Sequence, residues 1–149
     1  WANKSAIDGV PAICAKSPYF EAACSKNWKE GQNRIIELPT IEQHILDAYL
    51  TWVYHYQLDI EIARSTEPDR ANDDMVYRRL IEVYLAAQYL LDDALKNLVV
   101  DQIWEHFGNG YRSVMMEHVT LVWKETAQDC GLQRLIIDTV ASYLDSSAQ

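Results

Sequence analysis

The sequence predicts an α+β domain, a few short strands set among many helices, with an all-helical C-terminal half. Three observations predict it. The β-branched run Arg34-Ile35-Ile36-Glu37-Leu38 is cut off by Pro39, as a short strand is. Leu58, Ile60 and Ile62 alternate with Asp59 and Glu61, the period of a half-exposed strand. Elsewhere from Ile41 onwards, apolar residues recur at three and four residues, the period of a helix face.

Taken in order, Trp1 to Val10 show neither period, and Gly9-Val10-Pro11 reads as a break, so residues 1–12 are set apart as an N-terminal segment. Ser17-Pro18 is a helix start: the hydroxyl accepts from a free amide of the first turn and Pro is tolerated there. That helix should run to about Ser25. Asn27 to Asn33 is a polar turn before the Arg34–Leu38 strand. Thr40-Ile41-Glu42-Gln43 has the form of a capping box and predicts a long helix from that point. Its inward stripe is Ile41, Ile45, Ala48, Tyr49, Trp52, Val53 and Tyr56, which leaves Tyr54 off the stripe as a candidate exposed contact.

Arg64 to Asp74, charged and carrying Pro68, reads as a loop. Val76, Leu80, Val83, Ala87, Leu90 and Ala94 keep a helical spacing that Asp92-Asp93 interrupts as a capping pair. The next helix uses Leu95, Leu98, Val99, Ile103 and Phe107, with Trp104 beside the stripe, and Gly108-Asn109-Gly110 stops it. Two more helices line up Met115, Val119, Val122, Trp123 and Thr126, then Leu132, Leu135, Ile136, Val140, Tyr143 and Leu144. Residues 13–107 thus read as the core and 111–149 as a helical extension.

The bulk properties bound what such a domain can do. With 149 residues, 49% of them hydrophobic and 23% charged, one domain with a sizeable core is expected. Thirteen Lys and Arg against 22 Asp and Glu give a net charge of −9, which repels phosphate backbones and argues against a nucleic-acid partner. No apolar stretch approaches the roughly 20 residues that span a bilayer, and the first residues lack a signal-peptide layout. An intracellular protein, cytoplasmic or nuclear, without a membrane partner, is expected. Cys14, Cys24 and Cys130, an odd number without metal-type spacing, read as small buried hydrophobes in a reducing compartment rather than a disulfide framework. A start at Trp1 rather than Met is read as a fragment, a processed chain or a gene model missing its start.

Catalytic constellations are not found. His44, His55, His106 and His118 lie apart, with no His-x-x-x-His pair on one helix face, so no metal ligands are assigned. The five glycines are scattered rather than gathered into a phosphate loop. Asp92-Asp93, conceivable as an acid and base, is better read as a helix cap. No catalytic, cofactor-binding or metal-binding residue is therefore expected, and the chain is read as a non-enzyme; a small enzyme with an unrecognised site is the alternative from another class.

One resemblance runs through most of the chain. The Ser17-Pro18-Tyr19-Phe20 helix, the Trp28-Lys29-Glu30-Gly31 turn, the Ile36-Glu37-Leu38-Pro39 strand end and the helix ending Tyr49-Leu50-Thr51-Trp52-Val53-Tyr54 resemble, in that order, the core of the BTB/POZ domain. Val83 to Leu90 with Leu95-Lys96-Asn97 look like that family's following helix pair. Val122 to Thr126 with Leu132 to Asp138 are similar to the helical tail of fungal members. The resemblance implies a BTB/POZ-like α+β fold, a small sheet flanked by helical hairpins. It further implies dimerisation with itself or another BTB protein, docking of protein partners, and no enzyme activity or cofactor.

Two details of the resemblance concern sites. Members usually open with a strand, then a second one carrying a Val-His-Lys-like stretch; here Gly9-Val10-Pro11-Ala12 stands in its place and the first strand has no counterpart. Dimerisation through that strand is accordingly doubtful. Members that serve a cullin-type ubiquitin ligase as adaptors carry an apolar-x-acidic pattern, and Leu80-Ile81-Glu82 has that form, although Leu80 also fits the buried stripe. Candidate interface residues are Tyr54, Leu80, Glu82 and Trp104.

Overall fold

The computed structural model describes residues 5–8, 11–25, 35–59, 70–107 and 116–147. Helices account for 75% of it, which overturns the α+β, BTB/POZ-like expectation of a small sheet flanked by helical hairpins. Among the described residues, the β structure is one ribbon: β1 (Ser5–Asp8) and β2 (Ile35–Leu38) pair antiparallel, Ser5 opposite Leu38 and Asp8 opposite Ile35. β2 lies where the β-branched run predicts it. β1 corrects the sequence reading, which gave that segment no structure. Leu58 and Asp59 form no strand, and Ile60 to Ile62 lie outside the described residues.

The chain divides into two compact units, one of residues 1–61 and 86–95, the other of residues 62–85 and 96–149. The first unit contains α1 (Pro11–Cys14), α2 (Pro18–Ala23) and α3 (Gln43–His55), together with the end of α4 (Arg70–Tyr89) and the start of α5 (Asp93–Phe107). α2 starts as the Ser-Pro dipeptide requires: Ser17 caps it, its hydroxyl accepting from the Phe20 amide at 3.3 Å. Ile13, Phe20, Ile36, Leu38, Leu46 and Tyr49 are fully buried, with the Phe20 and Tyr49 rings stacked at 5.8 Å. Cys14 and Cys24 are joined in a disulfide across α2. This corrects the reading of both as free hydrophobes and removes the cysteine argument for a reducing compartment.

α3 begins two residues later than the capping box suggested. The Ile41 amide bonds back to the Leu38 carbonyl, which closes a turn around Thr40 and leaves Glu42 as the cap residue, without a side-chain cap bond. Gln43 instead donates to Asp47 one turn on, at 2.9 Å. The far end stops at Tyr56, left-handed at φ 54°, whose amide reaches the Trp52 carbonyl. That conformation swings Tyr56 off the inward stripe to 66% exposure, with Lys16 Nζ 4.0 Å from its ring centroid.

The second unit is built from most of α4 and α5 with α6 (Met116–Glu125) and α7 (Gly131–Ser147). α4 begins at Arg70, so the charged stretch from Arg70 to Asp74, read as loop, is helical. Val76, Tyr77, Leu80, Ile81, Val99, Ile103, Val122, Leu132 and Ile136 form its core. Gln133 secures the α6–α7 connection, accepting from the Asp129 amide and donating to the Thr126 hydroxyl, both at 3.0 Å. The stripe predicted for α7 is only half buried, because Leu132 and Ile136 face the core while Val140 and Leu144 do not. No helix among the described residues is long and apolar enough to cross a membrane. The Asn27–Asn33 turn and Gly108-Asn109-Gly110 lie outside the described residues.

Candidate functional site

Of the four candidate interface residues, two are exposed aromatics: Tyr54 on α3 at 46% and Trp104 on α5 at 49%. Leu80 lies on the buried stripe of α4 at 1% exposure, beside a fully buried Ile81. Glu82 is half-buried and accepts from Arg78 Nε at 3.2 Å, one helical turn back. Tyr54 belongs to the first unit and the other three to the second.

A more continuous surface lies on α7. Ile137, Val140 and Leu144 are 54%, 45% and 60% exposed, and steps of three and four residues put them on one line along the helix. Asp138 and Asp145, seven residues apart and both exposed, run along one edge of that line. α6, which packs against α7, carries the exposed Trp123. Sequence periodicity missed this surface because an amphipathic stripe looks the same whether its cover is the chain's own core or another molecule.

In the first unit, Asp92 takes part in several hydrogen bonds. α4 closes with the Asp92 amide on the Ala87 carbonyl and the Leu91 amide on that of Gln88, Leu91 being left-handed at φ 56°. Asp92 then caps α5, its Oδ1 accepting from the Leu95 amide at 2.9 Å, while Oδ2 accepts from the Tyr49 hydroxyl at 3.3 Å and Trp52 Nε1 at 3.2 Å. Burial, then the Asp92 carboxylate, push the Tyr49 phenol above its ordinary range. Both oxygens are thus occupied by structural donors, which leaves the predicted cap and no free acid–base pair.

A second polar cluster was not foreseen. His118 on α6 is 3% exposed, its Nε2 lies 3.4 Å from Asp74 Oδ1 on α4, and the Tyr77 ring packs against the imidazole at 5.2 Å. Glu117 completes the group: one ligand-type atom from each of Asp74, Glu117 and His118 lies within 4.8 Å of the others. The available signal was that His118 stands four residues before Val122 and so shares its inward stripe. Cys130, the free cysteine, precedes α7; burial pushes its thiol up, but hydrogen bonds with Thr126, the Gln133 amide, Tyr84 and the Leu132 amide outweigh burial and hold it below the ordinary value.

Burial pushes the Tyr77 phenol up to about 12. The folded value exceeds the unfolded one, so this contribution is complete below about pH 10 and is lost as pH rises through about 12, roughly 2 to 3 kcal/mol in all. Urea midpoints at pH 8 and pH 11.5 should therefore fall further in the wild type than in Tyr77→Phe; equal falls would rule this out.

No protein-family model, curated protein or solved structure matches the chain.

Proposed function

We propose that this chain is a protein-interaction module whose α7 receives an amphipathic helix of a partner protein, apolar on one side with basic residues alongside. The observation that carries the reading is the exposed line Ile137, Val140 and Leu144. Single exposed apolar residues are ordinary, but three in register on one helix are the pattern of helix-to-helix recognition. Charge selects the partner: Asp138 and Asp145 along the edge, within a chain of net charge −9, favour encounter with a basic segment and disfavour an acidic one. The segment order that resembles the BTB/POZ family supports binding rather than catalysis, without that family's sheet. The cullin-adaptor alternative draws no support from Leu80-Ile81-Glu82, since Leu80 and Ile81 offer no exposed apolar contact.

A helical peptide with leucines at the matching three-and-four spacing and flanking lysines is the probe. Titrated into ¹⁵N-labelled protein, it should shift resonances of α7, and roughly tenfold more salt should weaken binding by screening the acidic edge. Ile137→Asp with Leu144→Asp should abolish those shifts while leaving the thermal midpoint nearly unchanged, because both side chains are exposed. Unperturbed α7 resonances at millimolar peptide would defeat the proposal. So would light scattering that shows a dimer dissolved by Ile137→Asp, since α7 would then be covered by a second copy.

A further inference from the structure

We propose that Asp74, Glu117 and His118 form a zinc site that ties the N-terminal part of α4 to the first turn of α6. The argument starts from His118 Nε2, which is buried and has no hydrogen-bond partner among the described residues. A buried imidazole nitrogen left in that state is costly, and proteins seldom tolerate one without a use for it. Asp74 Oδ1 stands 3.4 Å from it, outside the range of a good N–H to oxygen bond. That spacing matches a different chemistry. Two ligands each about 2.0 to 2.1 Å from a tetrahedral zinc ion are about 3.3 Å apart.

Glu117 supplies the third ligand. It neighbours His118 in sequence, is exposed, and has a carboxylate oxygen within 4.8 Å of a ligand-type atom of each of the other two residues. Two carboxylates balance the charge of a divalent cation, and one imidazole shifts preference from magnesium or calcium, which favour all-oxygen shells, towards zinc. Three protein ligands leave the fourth position to water. The Tyr77 ring, buried and packed on the imidazole, restricts its rotation and so preorganises Nε2. The positive end of α6 works against a cation there, but two full negative charges outweigh a partial positive one.

This inference is independent of the docking surface on α7. Isothermal titration of the full chain with zinc chloride should give one ion per chain, and the same titration with magnesium chloride should give no binding. Asp74→Asn and Glu117→Gln, neither in a buried position, should each weaken zinc on the order of tenfold or more, while Cys130→Ser and Glu105→Gln should leave it unchanged. Cobalt should bind with the visible absorption of a four-coordinate ion. The proposal is overturned if zinc does not bind at millimolar concentration, or if binding survives both carboxylate substitutions and is lost in Cys130→Ser. Either result would make Asp74 and His118 an ion pair alone.

Discussion

Asp92→Ala is expected to cost about 3 to 5 kcal/mol, a large part of the 5 to 15 kcal/mol that typically holds a domain together. The substitution removes three bonds from one carboxylate. Loss of the cap on the Leu95 amide accounts for about 1 kcal/mol. The Tyr49 hydroxyl, in a fully buried side chain, and Trp52 Nε1, in a half-buried one, lose their carboxylate acceptor, at about 1 to 2 kcal/mol each. Asp92→Asn, which keeps an oxygen acceptor at the cap, should lose about half as much. Urea unfolding of the three proteins measures the difference. Equal stability of Asp92→Ala and wild type would show that water replaces the carboxylate and that the network contributes nothing.

Removing the Cys14–Cys24 bridge should cost about 3 kcal/mol, the figure for a closed loop of roughly ten residues. A mild reductant should lower the thermal midpoint of the wild type to that of the Cys14→Ser, Cys24→Ser double variant, and should leave the variant unaffected. Thiol titration of the denatured, unreduced protein should find one thiol, that of Cys130. Three thiols, or a midpoint indifferent to reductant, would refute the bridge.

The legible parts of the sequence were those whose cause is local. Ser17-Pro18 states a helix start in two residues, and Asp92 marks the boundary between α4 and α5 because a carboxylate at that offset caps the Leu95 amide wherever the helix lies. The illegible parts depend on distant residues. Ser5 to Asp8 carries no alternation strong enough to announce a strand and becomes one only because Ile35 to Leu38 supplies its ladder. Thr40 was a sound cap until the Leu38–Ile41 turn moved the helix start past it. His118 was equally illegible: four histidines with no shared helix face give no hint that Asp74, from a different helix and out of a stretch read as loop, lies 3.4 Å from its Nε2.

The ribbon and the disulfide also bear on one another through topology. β1 and β2 are separated by residues 9–34, 26 in all, and the Cys14–Cys24 bridge lies wholly inside that interval. Through the bridge the path shortens to residues 9–14 and 24–34, 17 in all. Bringing Asp8 to Ile35 is therefore easier by roughly 0.4 kcal/mol when the inner closure is already made. Nested closures of this kind are not additive: each is slightly worth more in the presence of the other, so oxidation at α2 is felt as tighter pairing at Ser5 and Leu38, residues that neither cysteine adjoins.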